Sequence, residues 1–445
     1  MGSYRTSVSP FDYFEYPQAE SGAGVHWAAR APRRPSDRFD LKLLPRSPTW
    51  RDEKGSLDAL AQVEREPWAA RATPVEDGVE LRLDDAWIEA VGGRLQEGDG
   101  GERRLADLAR GQRFSVQFCD AGVNESLDVG HLRNLALGNA LAAALAQAGA
   151  DVERRCLICD VESGARDRQG LPGRRATLRR LTIAFDRVLF DSEFLADAAK
   201  LAVPTRALGA GSPTTSLCEI AYWLAAPRLG DTTSVHVCDA QAAAHAATRR
   251  ELLPRLLDGD GDRVHPTHEI YHGAVSVGDL QSASGEDGAL TIDELADWLE
   301  CEIETSPRGQ QVLGELGSAE AVEAHVALGY FLLHPARQRV DLFAEKLLRT
   351  RESPGWDLAC ARARDGCADT PSGEPARDPD YRFAVVQSEL HRRQLRLAVQ
   401  RLDPGPLARH VVQFARWHLQ RRRSEPVERV ARSALERGAR GLGLE

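Results

Sequence analysis

Lysine is almost missing from this chain. Only Lys42, Lys54, Lys200 and Lys346 occur, so all but four of the 57 basic residues are arginine, as a GC-rich coding sequence would produce. The arginines gather at 174–180, 392–401 and 421–423, which leaves local basic faces able to meet RNA although the net charge is −10. No apolar run of 18 residues and no signal peptide is recognisable, which points to a soluble, cytoplasmic protein with no membrane partner. A second Cys-x-x-Cys is also lacking. The one at Cys156 and Cys159 lies inside an apolar run, so buried reduced thiols are expected and a zinc ribbon is not. His265, His268 and His272 stand close in sequence, yet their spacing on a strand does not suit a metal site, and no metal ligand set is assigned. No feature suggests DNA as a partner.

What is present is organised around residues 113–160. At 445 residues the chain has room for two or three domains. Phe114, Val116 and Phe118 alternate with polar residues, whereas Leu137, Leu141, Ala144 and Leu145 recur at helical spacing. The period switches from two to about 3.6, and a second β-like run follows at 151–160, which makes a βαβ unit. In such a unit, ligands sit where the first strand hands over to the helix, because unpaired N–H groups and the helix dipole point there. The loop from Asp120 to Gly130 is the candidate active site, with His131 at the helix opening and Asp128 placed to cap it.

The remainder reads as follows. Residues 1–55, rich in Pro, Arg, Ser and aromatics without a period, are expected to be irregular. Over 56–110 the alternation of Val79, Leu81 and Leu83 gives way to a helical pattern. Residues 301–350 look helical, 351–380 with four prolines read as a linker, and 381–445 are again helical.

Asp128-Val129-Gly130-His131-Leu132-Arg133-Asn134 resembles the nucleotide-binding signature of class I aminoacyl-tRNA synthetases, in its arginyl-tRNA synthetase form. The match runs without a gap from Val116 to Asn134. Further segments follow in family order at 182–202, 218–247 and 264–299. The resemblance implies an α/β fold with a Rossmann-like parallel-sheet catalytic domain over 111–300, preceded by a remnant of the amino-terminal additional domain at 56–110. A helical connector at 301–350 and an α-helical, anticodon-binding-like bundle at 381–445 would follow.

It also implies a set of site residues. His131 and Gly130 would meet the nucleotide, while Asp128 stands where the family has its first histidine. The amino acid would be held at Gln117, Gly122, Thr215, Glu219 and Gln241, of which Gln117 replaces a glutamate, Gly122 an asparagine and Thr215 a tyrosine. Glu219 keeps the acidic partner of a guanidinium, one methylene longer. Glu125 stands in place of a phosphate-neutralising lysine. In the mobile second signature loop, Gln281, Ser282 and Ser284 would meet the nucleotide, but Leu280 to Asp287 contains neither lysine nor arginine.

The implied activity is adenylate-forming ligation of arginine or an analogue to tRNA or a small amine in a specialised pathway, with ATP and Mg²⁺. Two other readings stand beside it. One is an aminoacyl-tRNA-dependent transferase of the cyclodipeptide-synthase kind, which does not use ATP. The other is a non-catalytic tRNA-binding paralogue.

Overall fold

Short β-prone runs near the amino terminus make the first sheet. The computed structural model describes residues 27–30, 32, 34, 35, 37, 39–45, 63, 65, 66, 68–96, 105–122, 125–161, 171–200, 218, 220–222, 233–240, 267–278, 289–364, 375–420 and 423–444. Strands β1 (Trp27–Arg30), β2 (Leu41–Pro45), β3 (Ala69–Val75) and β4 (Gly78–Leu83) pair antiparallel in the order β1-β2-β4-β3. The expectation of an irregular segment over 1–55 is therefore corrected at β1 and β2. These runs are too short to show a period, and β2 is made a strand by its ladder to β4, where Leu41 faces Leu81 and Leu43 faces Val79. The alternating Val79, Leu81 and Leu83 are all fully buried.

Helix α1 (Asp85–Gln96) follows directly, and the Asp84 carboxylate accepts the N–H groups of Ala86 and Trp87. Its Trp87, Ile88, Val91 and Leu95 face the core. By contact density the chain forms two units. The first comprises residues 1–105, 365–396 and 420–437, and the second 106–364, 397–419 and 438–445. Within the first, the buried Arg382 reaches across sequence to both oxygens of Asp40, at 3.1 and 2.5 Å, to Asp85, and to the carbonyls of Leu83 and Ala376.

The second unit holds the parallel sheet. Strands β5 (Arg113–Gln117), β6 (Ala121–Gly122), β7 (Asp151–Cys159), β8 (Arg187–Phe190), β9 (Thr233–Asp239) and β10 (Thr267–His272) run in the order β10-β9-β5-β7-β6, with β8 also on β7. Every pairing is parallel. On the central β5, Phe114, Ser115, Val116 and Gln117 are all buried, as a strand covered on both faces requires.

Helix α2 (Val129–Gln147) is buried along almost its whole length, including Leu137, Leu141, Ala144 and Leu145. Gly138 is needed where α2 crosses the strand end, since a Cβ there would lie 2.3 Å from a ring atom of Phe118. Helix α3 (Leu171–Arg180) and the short α4 (Leu195–Ala198) follow.

The carboxyl-terminal part is helical: α5 (Ile292–Thr305), α6 (Pro307–Leu316), α7 (Ala319–Leu332), α8 (Ala344–Leu347), α9 (Pro354–Arg362), α10 (Pro379–Arg401), α11 (Gly405–Leu419) and α12 (Glu425–Gly441). A small parallel pair, β11 (Val275–Val277) with β12 (Val340–Leu342), lies between. The fold class is thus the expected α/β parallel sheet followed by helices. The linker expected over 351–380 is corrected at α9. Ser353 caps that helix through its side chain and Pro354 occupies its first turn, so this proline starts a helix rather than breaking one. No helix among the described residues is long and apolar enough to cross a membrane.

Candidate active site

The carboxyl end of β5 turns sharply. Cys119 takes φ +70°, a left-handed conformation that is uncommon for a residue with a side chain. Its N–H donates to Asn134 Oδ1 at 2.9 Å, and its carbonyl accepts the Cys156 thiol at 3.2 Å. Asn134, one turn into α2, also donates to the Val237 carbonyl on β9 at 2.8 Å. Helix and sheet are thereby pinned at the point where the loop Asp120 to Gly130 opens.

Two polar groups line that opening. Gln117 donates to Asp120 Oδ1 at 3.0 Å, and the other Asp120 oxygen bonds Nε2 of His236 on β9. Gln117 and His236 are buried, and the Asp120 side chain keeps 27 % exposure. Beside them, Asp128 caps α2. Its carboxylate accepts the His131 N–H at 3.0 Å and touches His131 Nδ1 at 2.8 Å, while Nε2 of the same ring lies 4.0 Å from Glu125. Burial works against charge on both residues of the pair. For His131, the hydrogen bond and charge of Asp128, then the charge of Glu125, outweigh burial and raise its pKa. For Asp128, the hydrogen bonds and charge of His131 outweigh burial and lower its pKa.

The loop is tied to itself and to α3. Gly122 N–H donates to Glu125 Oε2 at 2.9 Å, and the Arg174 guanidinium bonds the carbonyls of Gly122 and Glu125. On the same edge of the sheet, at the ends of β7 and β8, Asp191 accepts the N–H groups of Asp160 and Val161, while Asp160 accepts the N–H and hydroxyl of Ser192. Burial, then the neighbouring Asp160, push the Asp191 carboxyl up to about 6. Glu193 is exposed.

Of the residues expected at the site, Gln117 belongs to the Asp120 and His236 group, Gly122, Asp128 and His131 to the group around Glu125, and Gly130 lies in the first turn of α2. Thr215, Glu219, Gln241, Gln281, Ser282 and Ser284 lie outside the described residues. Sequence reasoning missed Asp120, His236 and Arg174. The first stands inside the expected loop next to the strand end. His236 is a polar residue within an otherwise apolar strand run, a pattern that marks inward-facing polar groups. Nothing in the sequence around Arg174 separates it from the six arginines and leucines nearby.

The corner brings the carboxylates of Asp120, Glu125 and Asp128 and the His131 imidazole to a helix start. The Asp120 carboxylate is partly exposed, and the His131 imidazole lies between the carboxylates of Asp128 and Glu125. The start of α2 itself is filled, because Asp128 already takes the N–H of His131. Among the described residues, no group of three or more His, Cys, Asp or Glu is arranged to hold a metal ion.

No protein-family model matches the chain. Over 116 residues, 25 % of this chain and 20 % of the relative, it is 34 % identical to the arginine-tRNA ligase of Paracoccus denitrificans (strain Pd 1222). Over 122 residues, 27 % of this chain and 22 % of the relative, it is 30 % identical to that of Geobacter sp. (strain M21). These matches thus span about a fifth of the length of either curated relative. Solved structures match far more extensively. Arginyl-tRNA synthetase from Plasmodium falciparum superposes with a TM-score of 0.63 at 11 % identity, over 94 % of each chain. That from Thermus thermophilus does so with 0.59 at 15 % identity, over 95 % of each. At these identities the structural likeness establishes the fold.

Proposed function

The chain is related to the arginyl-tRNA synthetases, and on that premise we propose that it is an adenylate-forming aminoacyl ligase. Its substrates are arginine or a related amino acid, ATP with Mg²⁺, and tRNA or a small amine as acceptor, in a specialised cytoplasmic pathway. The observation that carries this reading is the placement of Gln117, Asp120 and His236 beside the capped start of α2. Gln117 replaces the carboxylate that holds the amino group of the amino acid in the family. Asp120, hydrogen-bonded by Gln117 and His236, supplies a carboxylate next to the vacated position. His131, its charge favoured by Asp128 and Glu125, would meet the phosphates. Gly130 has no Cβ, which lets adenine pack on the backbone.

In this reading the amino-acid carboxylate attacks the α-phosphate of ATP and pyrophosphate leaves, and the hydroxyl or amine of the acceptor then attacks the aminoacyl carbonyl and releases AMP. The chain's own contribution is to orient the amine at Asp120 and to place positive charge at the phosphates. ATP-dependent exchange of labelled pyrophosphate, run with each amino acid in turn, tests it; no exchange with any amino acid rejects it.

One observation favours the second reading, transfer from charged tRNA without ATP. The Asp128 carboxylate sits where a phosphate would take the N–H groups at the start of α2. Product formation from pre-charged tRNA without ATP would establish that reading. Failure of both assays would leave a tRNA-binding protein without catalysis.

A further inference from the structure

Among the described residues, the buried Arg174 guanidinium has no carboxylate partner. It is 7 % exposed, and among the described residues its recorded hydrogen bonds run from Nη2 to two backbone carbonyls, Gly122 O and Glu125 O. Its Nε and Nη1 atoms are buried without a hydrogen-bond partner. Arg382 meets Asp40 and Asp85, Arg155 meets Glu153, and Arg133, which also bonds only carbonyls, has four of them. A buried cation left with only two carbonyls is costly unless a ligand supplies the opposite charge.

The helix that carries Arg174 is fastened for this task. One turn on, Thr177 donates to Asp293 of α5, at 2.8 Å to one oxygen and 2.7 Å to the other. A further turn on, Arg180 bonds Asp297 at 2.5 Å, Glu300 at 2.8 Å and Glu323 at 2.7 Å. Residues 174, 177 and 180 follow the three-residue spacing of one helix face. The guanidinium is therefore held at the loop by anchors that do not depend on the loop itself, a preorganised charge.

The loop around it needs such a charge. Asp120, Glu125 and Asp128 bring three carboxylates to the corner, and the stretch 280–287 that would carry phosphate-neutralising lysines contains no cation. We propose that Arg174 is a substrate-binding residue that takes a phosphate group of a polyphosphate ligand at the Asp120 to Gly130 loop. The inference rests on the nucleotide-using reading of the site, and it places the missing positive charge on α3 rather than on the second signature loop.

The test uses the full chain, with inorganic pyrophosphate and adenosine as separate probes, in the native protein, Arg174→Gln and Arg174→Lys. Thermal melting measures binding, and ATP–pyrophosphate exchange measures activation. Pyrophosphate should raise the native melting temperature, and Arg174→Gln should need roughly 10- to 100-fold more of it for the same rise, the range for loss of a hydrogen bond to a charged group. Arg174→Lys, which keeps the charge, should fall between them and serves should Arg174→Gln fail to fold. Adenosine should act equally on all three. Equal pyrophosphate responses in native and variants, or no response in the native protein, overturn the inference. Arg174-dependent pyrophosphate binding without exchange leaves Arg174 in place and removes the ligase reading. Exchange with an unchanged pyrophosphate KM in the variants does the reverse.

Discussion

Asp128 closes on His131 twice: its carboxylate accepts the His131 N–H at 3.0 Å and lies 2.8 Å from Nδ1 of the imidazole. The same two residues that mark the nucleotide signature therefore build a helix cap. An anion approaching α2 meets a carboxylate first and a favoured imidazolium beside it.

The pair sets a pH window. His131 has a raised pKa, so its contribution to stability is full below its ordinary value of 6.5 and is lost as pH rises through the raised one. Asp128 has a lowered pKa, so its contribution is full above 3.8 and is lost as pH falls through the lowered one. Asp128→Ala should cost about 1 kcal/mol for the cap alone. The difference in melting temperature from the native protein should be largest between pH 3.8 and 6.5 and shrink towards pH 9. A difference that does not vary with pH would contradict the pairing.

Removing the local carboxylates should improve triphosphate binding. Two unit charges about 5 Å apart repel by about 3 kcal/mol at an effective dielectric of 20, roughly a hundredfold in affinity. Asp128→Ser with Glu125→Gln keeps an N-cap oxygen while removing both charges, and Asp128→His with Glu125→Lys reverses them. Calorimetric titration with ATP should show the native protein weakest and the second pair tightest. Native binding as tight as either double variant would mean that Mg²⁺ recruited by these carboxylates, or another cation, already offsets them.

Arg133 should be a stability residue despite standing inside the signature. It donates to the carbonyls of Gly273, Gln338, Pro335 and Ala336, at 2.9, 2.5, 2.9 and 2.9 Å, and burial lowers its pKa to about 10. Arg133→Lys keeps the charge but cannot span four carbonyls with one ammonium. Denaturant titration should show a loss of about 3 kcal/mol or more, the range for breaking a buried charged network. A loss under about 1 kcal/mol would remove that role.

Binding of tRNA is expected along α10. Arg392, Arg393 and Arg396 are half-buried and Arg401 is exposed. Deleting 381–445 would also remove Arg382 and its links to Asp40 and Asp85, so charge reversal is the cleaner probe. Arg393→Glu with Arg401→Glu should weaken tRNA retention on filters and lower the slope of log affinity against log salt by about 2. Retention unchanged at low salt would assign these arginines to a solvated helix face.

Periodicity alone determined the heart of the fold. Phe114, Val116 and Phe118 mark the strand by their period of two, although the polar Ser115 and Gln117 between them are buried as well, and Leu137, Leu141 and Leu145 repeat because one helix packs on that sheet. The short-range chemistry of the loop was equally legible, since a carboxylate three residues before a histidine caps a helix wherever it starts. What only the tertiary structure decided depends on partners far apart in sequence. Leu41–Pro45 is a strand because β4, some 40 residues on, pairs with it. His236 meets Asp120 across 116 residues, and Arg174 reaches Gly122 across 52. One arginine among 53 carries no local mark of burial, and its role at the loop comes from a helix fastened to α5 by Thr177 and Arg180, contacts that no window of sequence contains.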